Sequence, residues 1–287
     1  MDLKKIDYYK EIYEQNINLL RCPICKSKLK ALSHSLNCIK GHAFDLSAKG
    51  SVNLLYPPKK PESGGGMYSA ELWAHREAVF NAGFFCLLTA EVVSIIAESK
   101  LRDFALADLG CGEGSFLRDV AVLTGAKISI GIDISKEAIN RAASKPAFPA
   151  MWLVANSAAL PIADNCLDVA ITMLSPSNYA ECRRVVKKGG LLIKILPGKN
   201  YLAELRTAIF KDKRRADYDN VKTTDLFKKI FPSACERDVA YLFQEEPNLL
   251  ESIFAMTPLS AGQSFPKECL NNTAAISADF KILYAIL

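Results

Sequence analysis

The sequence predicts an α/β protein in two parts, a doubly wound parallel sheet behind a small metal-binding module. Three observations carry that expectation: a C-x2-C-x12-C-x3-H array near the N-terminus, a Pro- and Gly-rich stretch that follows it, and short apolar runs alternating with amphipathic segments from about residue 101 onward. With 287 residues, 50% of them apolar, the chain is long enough to bury one large core plus a small accessory unit. Charges interrupt every apolar run before it approaches the roughly 20 residues of a membrane span, and the start Met-Asp-Leu-Lys-Lys leads into a polar amphipathic helix rather than a signal peptide. The expectation is a cytoplasmic protein with no membrane partner. Nine cysteines, an odd number, fit reduced thiols with some bound to metal better than a disulfide framework. The formal charge of +5 permits an anionic partner without requiring one.

The array begins at Cys22-Pro-Ile-Cys25 and closes at Cys38-Ile-Lys-Gly-His42. A C-x2-C turn lets two thiolates reach one ion, and a second knuckle completes a tetrahedral zinc shell with no position left open, as a structural site requires. A module too small for its own core can fold on such an ion. His34 is a rival fourth ligand, and His42 is preferred because it lies on the second knuckle. Coincidental thiols and redox use of the pair are the competing possibilities, and redox use normally needs a βαβ context.

Residues 1–60 are therefore read as the zinc module with a short N-terminal helix. Pro57, Pro58, Pro61 and Gly64 to Gly66 mark a linker that neither helix nor strand should cross, and it opens a linker and helical segment at 61–100. In that segment Leu72, Val79, Phe80, Leu87, Leu88, Val92, Ile95 and Ile96 recur at helical spacing, with Gly83 between them, which predicts two helices or one kinked helix. Trp73, Phe84 and Phe85 could stack on nucleobases, but aromatics at that spacing favour the core.

Residues 101–287 form the main domain. Its expected strands are Phe104–Leu109, Ile128–Ile134, Met151–Ala155, Leu167–Met173 and Leu191–Leu196, with helices at Ser115–Leu123, Lys136–Ser144 and Tyr179–Val186 between them. Val239–Phe243, a helix at Asn248–Met256 and Phe280–Ile286 complete the pattern, and Gly189-Gly190 is expected to form the turn before the fifth strand.

The first strand runs into Gly110-Cys111-Gly112-Glu-Gly114, where glycines let the backbone approach a ligand and a helix N-terminus favours a negative group. The spacing Asp108-x-Gly110-x-Gly112-x-Gly114 departs from the dinucleotide fingerprint G-x-G-x-x-G and resembles motif I of class I S-adenosylmethionine (SAM) methyltransferases. Asp133 ends the second strand, where an acid can accept from both ribose hydroxyls, with Ile134 beside it. By the same resemblance Asn156 borders the adenine, with Ser157 next to it; capping is the other role open to Asn156, and a turn role is open to Asp164. The loop Leu174-Ser175-Pro176-Ser177 follows the fourth strand, where this class holds its acceptor, so Ser175 or the Pro176 backbone could contact the acceptor base; a simple Pro-containing turn is the alternative.

Together with Phe44-Asp45, Gly50-Ser-Val-Asn-Leu-Leu55, Pro197-Gly198 and Met256-Thr-Pro-Leu259, these motifs make the chain from about residue 20 resemble the bacterial 23S rRNA guanine-N1 methyltransferases. The resemblance implies a zinc ribbon joined to a class I (Rossmann-like) SAM methyltransferase sheet and a homodimer with an RNA-binding cleft. It also implies methylation of a guanine in a large-subunit rRNA hairpin near the peptide exit tunnel. Lys26, Lys28, Lys30 and Lys40, and a basic run from Arg206 through Lys211, Lys213, Arg214, Arg215, Lys222, Lys228 and Lys229, could line that cleft, or serve as ordinary solvated faces. The competing expectations are a SAM-dependent enzyme with another RNA or a small molecule as acceptor, and a non-catalytic RNA-binding factor.

Overall fold

A computed structural model describes residues 4–57, 70–210, 218–244, 247–260, 263–266 and 275–287. The linker expected around Pro58 to Gly66, and Lys211, Lys213, Arg214 and Arg215 of the basic run, lie outside these residues. Helix α1 (Lys5–Asn16) precedes a three-stranded antiparallel sheet of β1 (Leu29–Leu32), β2 (Ser35–Cys38) and β3 (Ala43–Asp45). Strand β4 (Ser51–Asn53) then leaves this small sheet and pairs in parallel with the far edge of a second, eight-stranded one.

The large sheet is built from β5 (Ala105–Leu109), β6 (Ile128–Asp133), β7 (Ala150–Val154), β8 (Leu167–Met173), β9 (Val186–Pro197), β10 (Cys235–Gln244) and β11 (Ala275–Ile286), in the order β10-β11-β9-β8-β5-β6-β7-β4. Residues of β5, β6 and β7 are buried throughout, which is why these strands read as continuous apolar runs: helices cover both faces. The chain moves outward from β5 to β6 and β7, then returns to place β8 on the other side of β5. That reversal opens a crevice beyond the carboxyl ends of the central strands.

The fully parallel expectation needs correcting at the C-terminal side, where β11 runs antiparallel between β9 and β10. After β10 the chain forms α9 (Pro247–Ala255) instead of a crossover on a face, and α9 meets α2 (Ala70–Asn81), with Ser252 hydrogen-bonded to His75 at 3.0 Å. The last strand therefore starts from the end of the sheet where β10 stopped, and can only run back. Gly189-Gly190 is also not the turn before a strand. Both lie inside β9, in an irregular stretch where the register against β8 shifts between Leu167 and Val169, and Gly189 takes φ +79°.

Helix α2 breaks at Gly83, whose φ of +86° lets α3 (Cys86–Glu98) leave at 76°. No single helix among the described residues is long and apolar enough to cross a membrane. The remaining helices are α4 (Ser115–Thr124), α5 (Lys136–Ser144), α6 (Tyr179–Val185), α7 (Ala203–Ile209) and α8 (Val221–Ile230). Apart from α7 and α8, which sequence periodicity did not reveal, they fall where the alternation placed them.

Trp152 ties the N-terminal unit to the large sheet. Its carbonyl accepts from the Tyr13 hydroxyl at 3.1 Å, while its fully buried ring covers Gly131 on the neighbouring strand and Gly114 at the start of α4. A Cβ at Gly131 would lie 2.4 Å from that ring, so Gly131→Ala must displace a side chain that has nowhere to go. The expected result is a loss of about 1–3 kcal/mol, read as a lower midpoint in urea unfolding.

Candidate metal centre and cofactor crevice

Cys22, Cys25, Cys38 and His42 converge, with their ligand atoms all within 4.8 Å of one another. Individual separations are 3.6 Å between the Cys25 and Cys38 sulfurs and 3.2 and 3.5 Å from His42 Nδ1 to Cys38 and Cys22. A tetrahedral ion with Zn–S bonds of about 2.3 Å needs edges of roughly 3.5–3.8 Å, so three thiolates and an imidazole fit zinc. The Ser27 hydroxyl beside Cys25 draws its thiol down to about 6, toward the thiolate that a metal needs. The rivalry between histidines is resolved by geometry, because His34 turns away to pair with Asp7 at 3.0 Å.

The module docks on the large domain through backbone and charge. Arg21 N–H donates to Pro161 O, Ala163 N–H to Leu19 O, and Arg21 meets Asp164, which also accepts from Arg184 at 2.6 Å. Asp164 is thus an anchor between the two units.

At the crevice, the three glycines take φ of +108°, +56° and +81° at positions 110, 112 and 114, a turn that side-chain-bearing residues resist. The N–H groups of Gly110 and Cys111 both donate to Ile132 O, at 2.8 and 2.9 Å. Asp133 accepts from Gly112 N–H at 2.9 Å and from Ser135 N–H at 2.8 Å, one bond on each carboxylate oxygen. Asp108 is 1% exposed with Oδ1 unpartnered among the described residues, and burial lifts its carboxyl to about 7. The Cys111 thiol is buried near Gly131 and pushed well up by that burial, so it is inert as a nucleophile. Ile134 follows Asp133, and Ala155 N–H bonds Asp133 O, which places Asn156 and Ser157 at the same end of the sheet. The Asn156 side chain itself closes a turn by accepting from Ala158 N–H.

Ser175 joins this crevice to a second cavity. Its hydroxyl donates to Leu109 O at 3.0 Å, and a Cβ on Gly110 would come within 2.6 Å of it. Leu174 carries φ +51°, strained for a branched residue, and so turns the loop sharply out of β8. The cavity beyond, of about 560 Å³, is lined by Ser175, Pro176, Lys194, Tyr201, Arg206 and Met256 among others.

Two cations here escaped sequence reasoning. Arg76 of α2 lines the same cavity, with Nε buried and unpartnered among the described residues and 3.5 Å from where a Gly112 Cβ would stand. Lys194 of β9 is the second. Neither belongs to a motif, and only the tertiary arrangement brings them to the crevice. Trp73, Phe84 and Phe85 are buried, as expected of core residues, although Trp73 packs against Gly112 and Phe85 lines the cavity.

Comparison with known proteins agrees with this architecture. Residues 20–62 match the family described as the RlmA N-terminal zinc ribbon, and residues 106–190 match a methyltransferase domain. YxjB of Bacillus subtilis, named for 23S rRNA (guanine-N(1)-)-methyltransferase activity, is 35% identical over 281 residues, covering 93% of this chain and 97% of its own. The 23S rRNA (guanine(748)-N(1))-methyltransferase of Streptomyces fradiae is 26% identical over 277 residues, covering 94% and 95%. A Micromonospora griseorubida protein with a 23S rRNA (guanine-N(1)-)-methyltransferase name is 30% identical and covers 69% and 74%.

The metal geometry predicts that wild-type protein carries one zinc ion per chain by elemental mass spectrometry. Cys38→Ser and His42→Ala should lose it, and His34→Ala should keep it. With its zinc ribbon and its methyltransferase domain in one chain, and near-full-length identity to YxjB, this protein belongs to the 23S rRNA (guanine-N1)-methyltransferase family.

Proposed function

We propose that the chain transfers the methyl group of SAM to N1 of a guanine in 23S rRNA, and that the target lies in a hairpin near the peptide exit tunnel. The observation that carries the chemistry is the direct contact between Ser175 of the acceptor loop and the Gly110 turn, which sets an acceptor cavity against the cofactor crevice. SAM brings a methyl already activated by its sulfonium, so the protein's task is alignment and exclusion of water. The names of the near-full-length relatives supply the rRNA and guanine part of the reading.

In this reading residues 1–60 are the zinc module, 61–100 the linker and helical segment, and 101–287 the methyltransferase domain. Cys22, Cys25, Cys38 and His42 hold a structural zinc. Asp133 takes the ribose hydroxyls with the second lone pair of each carboxylate oxygen, since each already accepts one backbone N–H. Gly110, Cys111, Gly112 and Gly114 give the backbone its close approach, Asp108 supports that turn, and Ile134, Asn156 and Ser157 border the adenine. Arg76, held beside Gly112 with an idle donor, fits the carboxylate of the methionine portion. Ser175 and Pro176 hold the guanine edge.

A base within a stem is unreachable, so the guanine must come from a loop or be extruded into the cavity. The exposed Lys26, Lys28, Lys30 and Lys40 of the zinc module, and Lys222 and Lys229 of α8, offer cations to an RNA backbone. A homodimer acting in the cytoplasm completes the proposal.

Labelled SAM and 23S rRNA from cells lacking the modification should yield one N1-methylguanine by mass spectrometry. Asp133→Ala should lose about 2–4 kcal/mol of SAM binding, roughly 30- to 700-fold in Kd by calorimetry. SAM binding without any RNA methylation would point to another acceptor. Arg76→Ala should weaken SAM by about 10- to 150-fold while leaving 5′-methylthioadenosine, which lacks the carboxylate, unaffected. Equal losses for both ligands would remove Arg76 from that role.

A further inference from the structure

We infer that Lys194 is the catalytic base of the methyl transfer, receiving the N1 proton of the guanine docked against the Leu174–Ser177 loop. The inference rests on the guanine-N1 proposal and supplies the proton acceptor that proposal lacks.

Lys194 lies in the middle of β9, flanked by buried Leu192, Ile193, Ile195 and Leu196, and is itself 3% exposed. A cation in such a place costs several kcal/mol unless a carboxylate meets it. None does: among the described residues no carboxylate lines the cavity, and the charged side chains there besides Lys194 are Arg76 and Arg206, both cations. Tyr179, Tyr201 and Tyr218 also line the cavity, and the Cys182 thiol approaches from α6. Burial raises Cys182 to about 11, so it stays neutral and gives the lysine no counter-charge. Burial correspondingly pulls Lys194 down to about 8, which leaves a useful fraction as free amine near neutral pH.

The hydrogen bonds orient that amine. Nζ donates to Ser175 O and to Ser177 Oγ, the latter at 2.9 Å. The Ser177 hydroxyl spends its own proton on Thr172 Oγ1 at 3.0 Å, so toward the lysine it is an acceptor. An amine that has donated both hydrogens keeps one lone pair, and Lys194 is among the residues that line the cavity. The same two serines belong to the acceptor loop, so the base and the acceptor's seat are built as one unit.

Guanine N1 carries a proton at neutral pH, and a methylated N1 in neutral guanine cannot keep it. Lys194 takes that proton as the N1–H bond breaks. The freed electron pair forms the N1–C bond while the S–C bond of the sulfonium breaks, its pair remaining on sulfur. The resulting ammonium, in a cavity whose other charged lining side chains are Arg76 and Arg206, releases its proton to water once product leaves.

The test is single-turnover methyl transfer to 23S rRNA from pH 6 to 10, for wild type, Lys194→Met and Lys194→Arg. SAM and RNA affinities and melting temperatures of all three serve as controls. Wild-type rates should climb tenfold per pH unit and level near 8. Both variants should bind SAM and RNA within about threefold of wild type yet transfer ~100- to 10,000-fold more slowly at pH 7.5. Their rates should rise past pH 8 without the wild-type plateau there, levelling only where guanine N1 itself ionises, because neither side chain can take up a proton in this range. An independent readout is the 15N resonance of the Lys194 amine, assigned by its loss in Lys194→Arg and expected to titrate near pH 8. Transfer by Lys194→Arg within threefold of wild type, or a variant profile parallel to wild type, would overturn the inference. Should neither variant fold, a pH-independent wild-type rate between 6 and 9 overturns it. Wild-type protein that yields no N1-methylguanine sinks the parent proposal and this one together; N1-methylguanine with unaltered variant profiles sinks this one alone.

Discussion

The site depends on how the end of β6 grips the turn that follows β5. Ile132 O accepts two successive N–H groups of that turn, and the Asp133 carboxylate accepts a third from Gly112. These bonds hold three glycines in left-handed conformations, so the turn stays open above the sheet and does not collapse onto it. Asp133, itself buried, is therefore a support of the turn that borders the crevice. Trp152 closes the same construction from below by packing on Gly131 and Gly114, which is why both positions lack a side chain.

The N-terminal unit is more than an appendage. Strand β4 extends the large sheet, Tyr13 bonds the carbonyl of Trp152, and Arg21, Asp164 and Arg184 form a charged bridge between the units. A zinc ion that orders the small three-stranded sheet thereby also fixes the edge of the large one. The N-terminal unit and the crevice meet at Trp152, a residue of the main domain.

The cavity behind the Leu174–Ser177 loop has an unusual charge balance, with three basic side chains and no carboxylate among its described lining residues. Such a wall lowers the proton affinity of groups beside it and favours uncharged or anionic occupants. Burial among apolar neighbours pulls the Lys194 amine down to about 8, while Arg76 lies only half-buried on the same cavity wall. Two basic side chains on one cavity wall thus differ in depth.

Much of this was legible in the sequence. Ligand spacing identified Cys22, Cys25, Cys38 and His42, glycine spacing identified the turn from Asp108 to Gly114, and continuous apolar runs located the central strands. These features are local: a metal knuckle, a tight turn and a buried strand each impose their demands within a few residues. What only the tertiary structure decided is non-local. The antiparallel entry of β11 follows from α9 staying at the sheet's end, and the bulge at Gly189-Gly190 exists only against its partner β8. The convergence of Arg76 from α2 with Lys194 from β9 has no sequence signal at all, because a lysine in an apolar run and an arginine on a helix look ordinary until packing removes water from them.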